Sequence, residues 1–292
     1  MKQYSLMRSF SEPGLSSRLF NLLEIVFAEI GITGAAECAR RLGAAWEEAS
    51  TPFMRFQDGM LVSHVGVVEI PLQLMGERVT VAGVHAVCTH PDFRRRGYYR
   101  EVMTQVLDYC DERYKAQLLT TSQPELYEPF GFRVVKEHIF TTSCDSKGGG
   151  NGFRLLDFTD ALDVRKLHRL LETRESVSDI LGVLNEKAVF CVNEGRNPLY
   201  YAPDLDVMVV MEVEDSKLKL FDLVGTKICT LKDILARIPQ PIIEVEIYFC
   251  GDRLDVDAQA LPHILDGDSL LMVRGEFVPF GQKFMLPRST RC

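Results

Sequence analysis

His85-Ala86-Val87-Cys88-Thr89-His90-Pro91-Asp92-Phe93-Arg94-Arg95-Arg96-Gly97-Tyr98-Tyr99-Arg100 decides how the rest of this chain is read. Val79 to Thr89 is apolar and rich in β-branched residues, which suits a buried strand. Pro91 ends it, because proline brings no N–H to a sheet ladder. From Tyr98 the spacing becomes helical: Val102, Met103, Val106, Leu107 and Cys110 recur on one face. Gly97 stands at the join. A strand that turns tightly into a helix N-terminus leaves several backbone N–H groups facing outward. The helix dipole adds to their attraction for an anion. Arg94, Arg95 and Arg96 raise the local positive potential in a chain whose net charge is -8. The ligand these features imply is a pyrophosphate.

The elements before this stretch are a short strand from Gln3 to Phe10, a helix from Arg18 to Glu29 capped by Ser16 or Ser17, and a second helix from Ala35 to Ala49. Trp46, the one tryptophan, reads as core. A strand from Phe53 to Phe56 turns at Asp58-Gly59 into a long strand, Leu61 to Leu74, which returns as Arg78 to Thr89. After the loop come the helix from Tyr98 to Tyr114 and a buried strand, Gln117 to Thr121. Ser122-Gln123-Pro124-Glu125-Leu126-Tyr127-Glu128-Pro129-Phe130-Gly131-Phe132 follows, then a strand from Arg133 to Cys144.

This order and these motifs resemble the GCN5-related N-acetyltransferases (GNAT). In that family a strand and a proline precede Arg/Gln-x-x-Gly-x-Gly/Ala, which opens a helix. Arg94-Arg95-Arg96-Gly97-Tyr98-Tyr99 matches it, with Tyr99 where the family has a small residue. Tyr127-x-x-Phe130-Gly131-Phe132 is similar to the second family signature. The resemblance implies acetyl-CoA as co-substrate, with pantetheine along Val87, Cys88 and Thr89 and the pyrophosphate on amides of Arg95, Arg96, Gly97, Tyr98, Tyr99 and Arg100. It places Ser122 and Gln123 beside the thioester and makes Tyr127 the general acid that protonates the departing thiolate.

The amine acceptor must lose a proton, and the strand before the loop offers no carboxylate. His85 is one candidate base. The tandem organisation also resembles the enhanced-intracellular-survival acetyltransferases, in which a C-terminal carboxylate enters the active site from a further sterol-carrier-like domain. By that resemblance the carboxylate of Cys292 is the second candidate, although 292 residues are few for a complete third domain.

The glycine run Lys147-Gly148-Gly149-Gly150-Asn151-Gly152 reads as a flexible linker. It divides a catalytic domain, 1–146, from a second domain, 153–292, that shapes the acceptor cleft. Beyond it a strand (Phe153 to Asp157), a helix (Asp160 to Glu175), a hairpin (Val207 to Val213 and Leu218 to Val224), a helix (Leu231 to Ile238) and strands at Ile242 to Phe249 and Leu270 to Arg274 repeat the earlier order. The basic turn is missing there. The expected fold class is therefore α+β: tandem GNAT-like domains of mixed, mostly antiparallel sheets flanked by helices, the second degenerate.

Bulk properties agree. An apolar content of 46% with 25% charged residues is that of a globular protein. No apolar run reaches membrane length and the N-terminus has no signal core, so no membrane partner and a cytoplasmic location are expected. The eight cysteines form no C-x-x-C pair and no zinc spacing, which implies reduced thiols and no metal. The acidic balance opposes nucleic-acid binding and favours a cationic amine acceptor. Homo-oligomerisation is left open. The rival to an N-acetyltransferase is a non-catalytic acyl-CoA-binding sensor or regulatory module using the same loop.

Overall fold

The computed structural model of the chain describes residues 4–29 and 31–292. Helix α1, Leu15–Val26, buries Leu15, Leu19, Leu22 and Leu23. Its N-cap is Gly14, in the left-handed region at φ 73 and without a side-chain cap, so Ser16 and Ser17 lie inside the first turn. The helix expected over residues 35–49 is two, α2 (Ile32–Arg41) and α3 (Trp46–Ala49), separated where Gly43 takes φ 72. The expected first strand is a single bridge, Met7 with Phe53; Gln3 lies outside the described residues.

Strands β1 (Ser50–Gln57), β2 (Met60–Leu74) and β3 (Glu77–Thr89) form an antiparallel meander. Its turns suit two-residue connections of positive φ: Asp58 and Gly59 at 50 and 81, Met75 and Gly76 at 50 and 83. Helix α4, Tyr98–Asp111, crosses over to β4, Ala116–Thr121, which runs parallel to β3. The segment expected as one strand over residues 133–144 is broken into β5 (Arg133–Val134) and β6 (Glu137–Ser146), and these belong to different sheets.

The remaining elements are β7 (Arg154–Leu155), α5 (Ala161–Glu172), β8 (Leu181–Val183), α6 (Ala188–Glu194), β9 (Tyr200–Ala202), β10 (Val207–Glu214), β11 (Lys217–Gly225), α7 (Leu231–Leu235), β12 (Ile242–Ile247), β13 (Gln259–His263) and β14 (Leu270–Gly275). Asp160 caps α5 through Leu162 N–H, and Thr230 with Asp233 forms a capping box on α7. β10, β11, α7 and β12, with β12 parallel to β11, repeat the arrangement of β2, β3, α4 and β4.

Among the described residues both sheets have seven strands. The first runs β1-β2-β3-β4-β14-β5 with β8 added on β2; the second runs β13-β6-β12-β11-β10-β9-β7. The division expected at residues 147–152 is therefore not the division between the sheets. β6, from before the glycine run, flanks β12 in the second sheet, and β14, from near the chain's end, flanks β4 in the first. Nor is the run a free linker. Gly149 N–H donates to Ile238 O at 2.7 Å and Gly150 N–H to Ala236 O at 3.1 Å. A Cβ on Gly149 would lie 2.0 Å from Ala236 O, so only glycine allows that approach.

Charges hold the far end of the chain in place. Phe284, Met285 and Leu286 are buried, and His138 N–H donates to Phe284 O at 2.8 Å. Arg291 pairs with Glu137 of β6 at 2.7 Å, both nearly inaccessible. Arg288 pairs with Glu194 of α6 at 2.9 Å. Ser289 Oγ donates to Asp222 at 2.5 Å, and Asp222 is itself bound by Arg174, with neither side chain exposed. Removing one member of such a pair strands a buried charge. Arg174→Met is expected to lower unfolding free energy by about 3–5 kcal/mol in denaturant titration. A loss under about 1 kcal/mol, as surface pairs give, would mean that Asp222 is relieved by solvent.

Candidate active site

The site begins where β3 and β4 part. They pair only through Ala82 with Gln117 and Gly83 with Leu118. Beyond that point a bulge bends β3: Gly66 faces His85, but His64 faces Cys88, and Ala86 takes φ 50. A bulge adds a residue to one strand and re-aims its side chains. His85 and Ala86 consequently border one cleft on the side away from α4, whereas Val87 packs toward α4. Val87, Cys88 and Thr89 thus run along the edge of β3 that β4 has left. Ser63 Oγ braces this end of the strand, at 3.0 Å from Cys88 O and 2.9 Å from Thr89 Oγ1.

The loop after β3 starts with a single helical turn, Pro91–Phe93, and then climbs into α4. Arg95 and Gly97 both take left-handed conformations, φ 61 and 85. Among the described residues none accepts a hydrogen bond from the backbone N–H groups of Arg95, Arg96, Gly97, Tyr98, Tyr99 or Arg100. Alternating left-handed residues with a helix start turn such amides toward one point, which suits an anion. Arg94 and Arg96 brace the loop through Thr89 O (3.3 Å) and Asp92 O (3.0 Å), and Arg96 lies over the Phe93 ring at 4.9 Å. A Cβ on Gly97 would meet nothing within 4 Å, so open space lies over the amides.

Ser122 and Gln123 are exposed just past the end of β4, where Gln123 N–H donates to Thr121 Oγ1 at 3.0 Å. Tyr127 follows, between two short helical turns closed by Gly131 at φ 86. It is 8% exposed, edge-on to Tyr99 and Phe132, in the core under α4. Burial, then the nearness of the Cys88 thiol, pushes its phenol up to about 12. Burial likewise pushes Cys88 up to about 12. Both groups therefore keep their protons at neutral pH. Tyr99 Oη donates to Leu126 O at 2.9 Å, which ties α4 to the Tyr127 turn.

On the opposite side of the sheet lies a cleft of about 540 Å³. His85 forms part of its wall. Its Nε2 lies 2.9 Å from Ser50 Oγ, and Trp46 meets its ring edge-on at 4.6 Å. Burial, with the neighbouring His64, pulls the His85 imidazole down to about 3, so it stays neutral. Cys292 is at the inner end. Its carbonyl oxygen accepts from Thr120 N–H at 2.8 Å and from Thr120 Oγ1 at 2.5 Å. Its Sγ would lie 2.7 Å from a Cβ on Gly83, so it fills the crotch between β3 and β4.

The residues quoted from the sequence therefore gather around one fork, but on two sides of it. Tyr127 and the arginine loop belong to the α4 side; His85 and Cys292 face the cleft. Sequence reading missed Thr120, Asn193 and the arginines that border the cleft. Asn193 Nδ2 donates to Arg288 O (3.1 Å) and Arg291 O (3.0 Å), fixing the segment that ends at Cys292. No local pattern announces these residues, because each acts through a partner far along the chain. Trp46, read as core, is a cleft wall. Among the described residues no group of three or more His, Cys, Asp or Glu side chains is placed to hold a metal ion, and no helix is long and apolar enough to cross a membrane.

Residues 18–135 match the model of the acetyltransferase (GNAT) domain. The fold is similar to that of a conserved protein of unknown function from Enterococcus faecalis V583, a probable N-acyltransferase, at TM-score 0.60 and 15% identity over 92% of this chain and 71% of that one. It is also similar to Eis1 from Mycobacterium abscessus, at TM-score 0.58 and 15% identity over 92% and 73%. A GCN5-related N-acetyltransferase from Kribbella flavida gives 0.55 and 18% over 89% and 68%. At these identities the structures establish shared architecture, and the domain match carries the family. The chain thus holds a GNAT acetyltransferase domain over residues 18–135, within an α+β fold of two mixed sheets like that of Eis1, and is an acyltransferase.

Proposed function

We propose that the protein transfers an acetyl group from acetyl-CoA to a primary amine by direct attack. The observation that carries this reading is the run of unpartnered amides at Arg95 to Arg100, set beside the open edge of β3. Those amides suit the pyrophosphate, and Arg95, Arg96 and Arg100 add positive charge. The backbone of Val87, Cys88 and Thr89 suits the pantetheine arm, with Ser122 and Gln123 bordering the other strand. Acetyl-CoA brings an activated thioester; the chain supplies placement and proton handling.

A thiolate leaving group takes a proton more readily from a positioned acid than from water. Tyr127 suits that role, since burial keeps its phenol protonated and Val87, packed against the same core cluster, belongs to the strand along which the thioester arm lies. The acceptor enters from the cleft side. Its amine, with an unperturbed pKa near 10.4, must be neutral to attack. His85, held near 3 and hydrogen-bonded to Ser50, is a weak base, and we assign it to the wall. For proton acceptance we assign the position of Cys292, held by Thr120 at the fork. In a chain that terminates there, its carboxylate meets the amine directly or through water. The second half contributes the cleft's outer wall through Val189, Val192 and Leu265.

Gly97→Glu places a carboxylate over the amide run at φ 85, where a side chain costs about 1–2 kcal/mol. Calorimetry is expected to show acetyl-CoA binding lost while the fold is retained; unchanged affinity would remove the pyrophosphate site. Tyr127→Phe is expected to lower kcat by about 10²- to 10⁴-fold at unaltered acetyl-CoA affinity. Wild-type kcat, with chemistry rate-limiting, would reduce the tyrosine to packing. Two glycines added after Cys292 shift any terminal charge by about 3.3–3.6 Å per residue. The rate should then fall at neutral pH and recover as rising pH deprotonates the amine. A profile identical to wild type across pH would remove this position from proton transfer.

A further inference from the structure

The lining of the cleft is poor in carboxylates, although the chain as a whole is acidic. The protein carries -8 overall, but Asp266 is the only carboxylate side chain among the described residues that line the cleft. Arg196, Arg288 and Arg291 line it as well. Arg288 is neutralised by Glu194 and Glu212, and Arg291 by Glu137, so those three glutamates are already engaged. Arg196 sits exposed at the rim. The walls between are apolar. Phe20, Ile32, Ala36, Trp46, Val68 and Val189 come from five different elements and converge on the same space.

This inventory has consequences for an amine. The reacting nitrogen enters as an ammonium and must become neutral, and an apolar cleft favours that change by disfavouring the charged form. One ammonium is therefore compatible with these walls. Each further ammonium on the same molecule cannot be discarded. It would lie among apolar side chains and arginines with at most Asp266 to pair with, and an unpaired buried charge costs several kcal/mol. A polyamine or aminoglycoside has several such groups. An aliphatic or aryl body, in contrast, gains roughly 25 cal/mol for each Å² of apolar surface it removes from water. The space, about 540 Å³, is within the usual range of about 300–1,000 Å³ for a small-molecule site.

We infer that the acceptor is a monoamine on an apolar or aromatic body, and that polycations are excluded. The inference rests on the acetyl-transfer reading for the word acceptor, but the cleft's preference can be measured without turnover. Trp46 is the one tryptophan and it forms part of the cleft wall, so its emission reports occupancy of the site. Hexylamine and phenethylamine are titrated into the full chain against spermine and kanamycin, by calorimetry and by Trp46 fluorescence, with and without CoA. CoA release from acetyl-CoA is then measured for the same amines. The expected result is a Kd for both monoamines at least tenfold below that for either polycation, with the Trp46 emission changing on binding. Equal or tighter binding of spermine or kanamycin overturns the inference, and so does the absence of heat and emission change with every amine. Monoamines that bind as expected yet release no CoA leave the cleft's ligand class standing and overturn acetyl transfer instead.

Discussion

Two parallel strands that pair at their start and then part create a need inside the sheet. Beyond Ala82–Gln117 and Gly83–Leu118, the facing edges of β3 and β4 hold backbone groups without each other as partners. Buried N–H and C=O groups must be satisfied by something. At the base of the fork Thr120 meets this need with the carbonyl of Cys292. Farther out β3 and β4 no longer pair with each other. The bulge at Ala86 widens the gap by bending β3, and β14 holds β4 from its other edge. A parallel pair also requires a long crossover, here α4. The crossover must start where β3 ends, so its anion-attracting N-terminus is brought beside the fork by the same constraint.

The fork is kept in place by an exchange of strands. β6 from the first half completes the second sheet, and β14 from the second half completes the first. Neither sheet is whole if the halves separate, so the cleft between them is part of the fold and not a contact of two independent bodies. Buried charges mark the path of the exchange. Glu137, at the start of β6, binds both Leu286 N–H (2.8 Å) and Arg291. Buried ion pairs of this kind add little net stability over apolar packing, but they penalise any arrangement that leaves one partner alone. Their effect is to define where the segment 284–292 lies, and with it what stands at the fork.

The two sides of the fork also divide the chemistry by environment. On the α4 side the groups are aromatic and hydroxylic, and burial keeps Tyr127 protonated. On the cleft side His64 and His85 are held neutral by burial, at about 4 and about 3. Apolar surroundings act oppositely on the two kinds of group: acids hold their protons and bases give them up. One side therefore suits proton donation, and the other suits a neutral amine.

Where a feature depended on neighbours in the chain, reading residues in order found it. The β2–β3 hairpin, the strand–loop–helix from Val79 to Asp111 and the hairpin of β10 and β11 follow from periodicity and turn chemistry, which are local. The amide run at Arg95 to Arg100 was legible for the same reason, as was the turn around Tyr127 that Gly131 closes. Partners were not legible. Residues 133–144 look like one strand, and period-two patterning does not say that β5 and β6 enter different sheets. Gly148 to Gly152 have the composition of a linker, yet their smallness serves close contact with Ala236 to Pro239. Trp46 has the character of a core residue, and only the break at Gly43 and the turn into β1 present it to the cleft. Thr120, Asn193, Glu137 and Cys292 meet because strands from distant parts of the chain pair side by side. Backbone conformation is governed by adjacent residues, whereas cleft walls and charge partners are chosen by packing among elements far apart in sequence. The loop from Arg94 to Arg100 therefore belongs to what the order of residues dictates, and the walls of the cleft to what the assembled sheets decide.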